Sequence, residues 1–246
     1  MADTLKFKPW LPYVVPMGLY MAFLLVEPYA DLLWMYPVKT LAVAAALIYF
    51  WREYEELRSP MVGAGNVVRG QETGAQQEGR TDRASQKRGY SGTSWLLAVL
   101  VGLVAIVIWI GIDPYYPKFG TATVFDPTAI QSVAQRNTFF AFRVFGAVIV
   151  VPVMEELFWR AFLIRWLVNE DFKSVAIGTF SWMSFAVTVA LFGAEHHQWL
   201  AGLICGAMYN WLYYKRKDVF ACVVAHAVSN AALAAWVLSR GDWKFW

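Results

Sequence analysis

The sequence predicts an all-α fold, a polytopic transmembrane bundle of about seven spans, six to eight at the limits. Three observations predict it. Hydrophobic residues make up 59% of the 246 and charged residues only 16%, whereas soluble domains carry about 25% charged residues. The mean hydropathy is +0.42. Stretches free of Asp, Glu, Lys and Arg recur at the length of roughly 20 residues that crosses about 30 Å of hydrocarbon. Collagen-like, disulfide-rich and wholly disordered classes are excluded by 17 Gly, 2 Cys and the hydrophobic excess. The net charge of +3 is small and spread along the chain, which argues against a nucleic-acid partner.

The uncharged stretches are residues 9–26, 95–112, 174–194, 196–214 and 219–239. Two more are interrupted: 32–51 carries Lys39, and 138–168 carries Arg143, Glu155, Glu156, Arg160 and Arg165. The first stretch has no small-x-small cleavage site and reads as a mature helix rather than a signal peptide. Residues 1–51 therefore form N-terminal transmembrane helices, 52–93 a flexible cytoplasmic loop, and 94–246 a transmembrane core. The loop is rich in Gly, Gln, Arg and Ser and shows neither helical nor strand period. Tyr115, Tyr116, Pro117 and Phe119 read as aromatic anchors of an interfacial loop. With the N-terminus inside, 15 Lys and Arg fall on the cytoplasmic side and 5 on the other, the distribution the positive-inside rule favours. Cys205 and Cys222 lie in apolar stretches and read as buried hydrophobes. No internal repeat is evident, which gives no support to a repeat-built transporter.

Ionisable groups inside a span are costly, so each is a candidate for function. In Glu155-Glu156-Leu157-Phe158-Trp159-Arg160, Glu156 and Arg160 are i,i+4 neighbours on a helix and can pair. Glu155 is turned about 100° away and has no cation on its own helix. The plain reading is a salt bridge at a helix end with Glu155 solvated. Two adjacent carboxylates beside Pro152 in an apolar run fit that reading poorly, and a sparsely hydrated Glu suits a general base. In Phe192-Gly193-Ala194-Glu195-His196-His197, the small residues allow a neighbouring helix to approach closely beside His196. Glu195 and His197 are expected to be wetter and rank below His196. In His226-Ala227-Val228-Ser229-Asn230, His226 and Asn230 share one helix face, which must turn to a polar partner or a water cavity. Hydrogen bonding across the bundle is the plain alternative there.

Each cluster is weak by itself. Together, Glu-Glu-x-x-x-Arg, Phe-x-x-x-His and His-x-x-x-Asn on three successive membrane helices resemble the motifs of the CAAX prenyl protease and bacteriocin-processing (CPBP, or Abi) family of intramembrane proteases. The resemblance covers roughly residues 145–240, and all three motifs are present without departure. Phe192 to His197 followed by Trp199-Leu200-Ala201-Gly202 is also similar to the prenyl-protease-related subgroup associated with bacterial exosortase systems. The resemblance implies an intramembrane endopeptidase that hydrolyses a peptide bond in a membrane-anchored substrate, prenylated or C-terminally tagged. It implies Glu155 as general base on a water, His196 orienting that water, and His226 with Asn230 holding the oxyanion. Glu156 and Arg160 would support them. No metal ligand is assigned, because the helical His-Glu-x-x-His pair of zinc proteases is missing and Asn is a poor zinc ligand. No cofactor is expected, with a divalent metal such as zinc as the alternative. The implied partners are the lipid bilayer and the anchored peptide, and the implied location is a bacterial inner (plasma) membrane with a cytoplasmic N-terminus.

Depth raises a difficulty. At 1.5 Å per residue, a straight helix starting at Ser174 would carry His196 about 33 Å in, near the face opposite His226. The constellation requires that this helix be tilted, broken or late to enter, or that residues 170–181 be interfacial. Two other function classes stand beside the protease: a proton-coupled transporter whose Glu and His relay protons, and a non-catalytic membrane scaffold or immunity factor.

Overall fold

A computed structural model describes residues 8–26, 31–58, 92–120 and 125–246. Among these the chain is helical, with turns and no strand, and forms a helical membrane bundle. We number the long helices α1 (Leu11–Val26), α2 (Leu32–Tyr49), α3 (Gly92–Ile112), α4 (Val133–Trp166), α5 (Trp182–Ala194), α6 (Trp199–Arg216) and α7 (Val219–Arg240). Each of the seven apolar stretches read from the sequence falls on one of them. By length and composition, α3, α4 and α7 are long and apolar enough to cross a membrane, while α1, α2 and α5 are apolar but shorter.

The packing follows from side-chain size. Helices α3 and α7 approach closely at Gly102, where a Cβ would lie 2.3 Å from the Ala225 carbonyl oxygen. Only glycine lets the two backbones come that near. Between α5 and α6 the same device recurs. A Cβ on Gly193 would meet Leu203 at 2.6 Å, and one on Gly202 would meet the Gly193 backbone at 3.0 Å. Without these glycines the loop that joins α5 to α6 could not lie as close to the rest of the bundle. Cys205 and Cys222 are buried free thiols, in keeping with their reading as hydrophobes.

Helix α5 departs from the straight 174–194 span. Residues 172–174 form a single 3₁₀ turn, Gly178 turns the chain at φ 82°, and the helix starts only after Ser181, whose hydroxyl accepts from the Ser184 N–H. Its 13 residues extend about 20 Å. Starting at one face of a hydrocarbon layer about 30 Å thick, such a helix ends within it. The turn after Ala194 is thereby delivered to membrane depth. Exposed backbone is tolerated at that depth only where it is buried in protein or lines a cavity.

The first residues after α2 are packed rather than loose. The Tyr54 side chain is fully buried and its hydroxyl donates to the Pro12 carbonyl at 2.6 Å. Glu56 receives the Tyr13 hydroxyl at 3.0 Å and Arg165 Nη1 at 2.7 Å. The start of the 52–93 segment is thus tied to α1 and to the end of α4. Its reading as a flexible loop falls, for residues 59–91, outside the described residues.

Candidate active site

The site begins with a defect in α4. Residues Gly146–Val150 form a π-turn in which the Val151 N–H reaches back to the Gly146 carbonyl. In that register the Ala147 carbonyl would pair with the N–H of residue 152, which is Pro and has none. Asn230 takes the place of the missing donor, with its amide nitrogen 2.7 Å from the Ala147 oxygen. One side-chain amide of α7 thus stabilises the irregular turn that precedes the two glutamates. A second π-turn, Leu157–Leu163, follows them.

Glu156 sits in a buried polar network. Its Oε1 accepts from Arg160 Nη1 at 3.1 Å and from His226 Nδ1 at 2.9 Å. Both Glu156 and Arg160 are essentially without solvent contact. All three guanidinium nitrogens of Arg160 are used, because Nε donates to Asn210 at 3.2 Å and Nη2 to the Gly206 carbonyl at 3.3 Å. Asn210 passes the chain on to Thr188 Oγ1 at 2.9 Å. The Arg160 fork lies between the Phe192 ring (4.9 Å) and the Tyr209 ring (5.5 Å). Three helices, α4, α5 and α6, meet on this one cation, which a lysine could not serve in the same way, and Glu156 extends the network to α7 through His226. The carboxylate fixes the tautomer of His226: Nδ1 carries the hydrogen, so Nε2 is the nitrogen left for other work. Tyr209 stacks on the His226 ring at 5.2 Å, and its hydroxyl lies 2.7 Å from Ser229 Oγ, which donates to the His226 carbonyl at 2.8 Å.

Glu155 has the opposite surroundings. It is buried, yet among the described residues neither of its oxygens receives a hydrogen bond, and Oε2 is enclosed without a partner. It lines a cavity of about 260 Å³ together with His196, His226, Asn230 and Tyr209. His196 Nδ1 donates to the Phe192 carbonyl at 2.6 Å, which leaves Nε2 with its lone pair in the neutral ring. Trp109 meets the His196 ring edge-on at 5.3 Å. The loop after α3 pins the turn from outside: Trp199 donates to the Pro117 carbonyl at 2.8 Å and stacks on Phe119 at 5.6 Å.

All six residues singled out from the sequence therefore converge. Glu155, His196, His226 and Asn230 border one cavity, and Glu156 with Arg160 stands behind His226. Glu195 departs from expectation. Rather than lying wet, its side chain is only 12% exposed, and it forms with Glu155 and His196 a group whose ligand atoms all lie within 4.8 Å of one another. On a continuous helix, residues 195 and 196 would point about 100° apart. The helix ends at Ala194, and the turn brings both inward. Tyr209 and Asn210 were also missed, since a Tyr-Asn pair in an apolar helix carries no motif.

Residues 137–232 match the family model described as type II CAAX prenyl endopeptidase Rce1-like. That segment is similar to CAAX-protease domains. The matched segment spans most of α4, all of α5 and α6, and α7 to just past Asn230, so it contains Glu155, Glu156, Arg160, Glu195, His196, Tyr209, His226 and Asn230. The matched family is a protease family, and the apolar helices are those expected of an integral membrane protein. No curated protein and no solved structure matches the chain.

Proposed function

We propose that this chain is an intramembrane endopeptidase in which Glu155 activates a water against a peptide bond of a membrane-anchored substrate. The observation that carries this reading is the unengaged Glu155 carboxylate on a cavity also lined by two histidines and an asparagine. Glu155 takes a proton from the water as the water oxygen bonds to the carbonyl carbon. The developing oxyanion is met by His226 Nε2 in its protonated form, stabilised from behind by Glu156, and by the Asn230 N–H not engaged with Ala147. As the C–N bond breaks, Glu155 returns the proton to the leaving amine. His196 Nε2 accepts from the water and holds it in line. Glu156 and Arg160 act as positioning residues through His226.

A metal-assisted variant has its own support. Glu155, Glu195 and His196 form a two-carboxylate, one-imidazole donor set. The second nitrogen of His196 is held by a backbone carbonyl, the usual outer partner of a metal-bound histidine. The enclosed, partnerless Oε2 of Glu155 fits a cation as well as it fits a water. These three residues would hold a divalent ion such as zinc, which would supply Lewis-acid polarisation and a more acidic water. In this variant Glu155 and His196 would serve the ion as ligands, while His226 and Asn230 keep the same places around the peptide bond.

The substrate reading, a prenylated or C-terminally tagged peptide, rests on the family resemblance. A bacterial inner-membrane location rests on the same resemblance, and a cytoplasmic N-terminus on the distribution of Lys and Arg. The test is cleavage of membrane-anchored peptide libraries by detergent-purified protein, wild type against Glu155→Gln, with a strong chelator present. Cleavage by the wild type alone supports the glutamate-and-water mechanism. Cleavage that appears only when metal is added back supports the metal-assisted variant. Equal cleavage by both proteins removes Glu155 from the mechanism.

A further inference from the structure

The Glu155 cavity holds a second charged group that the mechanism does not use. Arg143 lies on α4 one dozen residues before Glu155 and lines the same cavity. Among the described residues no carboxylate pairs with it. Its guanidinium instead lies 4.3 Å from the Tyr36 ring and 5.6 Å from the Trp246 ring. Lys39, buried on α2, lies 4.5 Å from the same Tyr36 ring. Glu155 is the single acidic group among the residues lining the cavity. The cavity is thus polarised along α4, with a cationic end at Arg143 and the hydrolytic carboxylate at the other end.

The π-turn brings the two ends onto one face. Twelve residues of ideal α-helix turn through about 1200°, which would leave Arg143 and Glu155 roughly 120° apart. Accommodating one extra residue in the Gly146–Val150 π-turn winds the register back by about 100°. The irregularity that Asn230 stabilises is therefore also what lets Arg143 look into the site. An arginine held by ring faces keeps its edge N–H donors available, a fork that fits a carboxylate in two-point fashion. Placing an uncompensated cation inside a span is expensive and is expected where a ligand supplies the counter-charge.

We propose that Arg143 forms an anion subsite that binds a carboxylate of the peptide substrate. This rests on the peptidase reading above and adds a substrate class to it. Twelve residues at 1.5 Å place the subsite about 18 Å from Glu155 along the helix. At 3.3–3.6 Å per extended residue, that is the length of about five residues. The preferred substrate therefore carries its carboxylate about five residues from the cleaved bond. The carboxylate is either a free C-terminus or an Asp or Glu side chain.

The test uses lipid-anchored synthetic peptides in nanodiscs, identical except for a free-acid or amidated C-terminus, in a ladder of lengths. A second series of amidated peptides carries Glu or Gln at the matching position. Binding is measured by fluorescence anisotropy on full-length Glu155→Gln protein, which separates recognition from hydrolysis. A free-acid or Glu peptide of matched length is expected to bind about tenfold more tightly than its neutral counterpart, the worth of one charge-assisted hydrogen bond. That preference falls to parity in Arg143→Gln/Glu155→Gln and is partly kept by Arg143→Lys. Which series shows the preference identifies the C-terminal or the side-chain source. Equal binding of acid and neutral peptides at every length overturns the subsite, as does a preference that survives Arg143→Gln. Because the acid-to-amide ratio is also read on protein that retains Arg143, a poorly folding variant does not protect the proposal. Arg143-dependent binding without cleavage of any peptide by wild type would keep the subsite and remove the peptidase. Cleavage with no acid preference would do the reverse.

Discussion

Glu155 and Glu156 are joined by one peptide bond, lie on one helix and are both buried, yet their surroundings are opposite. Glu156 faces a cation and an imidazole, both on a single oxygen at 2.9–3.1 Å. Glu155 faces a cavity and receives no hydrogen bond from the described residues. The turn of about 100° between consecutive helical residues is the whole of the difference. It sends one carboxylate into the Arg160 network between helices and the other to the open side. The lesson is that a buried charge with partners holds the bundle in register, whereas a buried charge without them is available for chemistry.

Four substitutions break or sharpen this contrast. The largest effect on activity is expected from Glu155→Gln, which should lower cleavage by about 10²–10⁴-fold, the usual contribution of a general base. Its thermal midpoint should stay at or above that of wild type, because no protein hydrogen bond is lost. A large drop in the midpoint would show Glu155 to be structural after all.

Glu156→Ala should do the opposite and destabilise by about 3–5 kcal/mol, since Arg160 is left buried without its carboxylate. Denaturation in mixed micelles, comparing it with Glu156→Ala/Arg160→Met, checks the cause. Removing both charges should recover part of the loss. If the double variant is no better, the Glu156–Arg160 pair is not what holds α4, α5 and α6 together.

Asn230→Ala leaves the Ala147 carbonyl without a donor and should cost about 1–3 kcal/mol. Because the π-turn also sets the facing of Glu155, cleavage should fall with it, and hydrogen exchange of the 146–152 backbone should rise. Tyr209→Phe is the mildest change. It removes one hydroxyl on Ser229, worth about 0.5–1.5 kcal/mol, and should leave the cleavage rate within a few-fold of wild type. A severe loss of activity in Tyr209→Phe would place that hydroxyl in the reaction rather than behind His226.

Much of this arrangement was legible in the chain. Uncharged stretches of about 20 residues marked where helices would form, because hydrocarbon admits little else. The i,i+4 spacings of Glu156 with Arg160 and of His226 with Asn230 put each pair on one helix face, since the α-helix allows no other arrangement at that spacing. Three other features were not legible. The start of α5 at Trp182 depends on the Ser181 cap and the turn at Gly178, which an apolar stretch running through 174–194 conceals. Glu195 turns inward because a helix stops one residue before it, and no periodicity reports a stop of that kind. The π-turn at Gly146–Val150 is invisible to a 3.6-residue pattern, although Pro152 was a sign of trouble in the backbone ahead of Glu155.

The sequence by itself determined that this chain is a helical membrane protein and which polar residues its helices carry at a cost. Composition and short-range spacing suffice for that, because burial in lipid and the helical repeat act locally. Which of those residues meet was decided only by the tertiary structure. Gly102, Gly193 and Gly202 let backbones approach, the short α5 delivers His196 to the depth of Glu155, and Asn230 holds the turn that aims it. These are contacts between residues tens of positions apart. Their geometry is set by how whole helices pack, and helix packing depends on every face in the bundle at once.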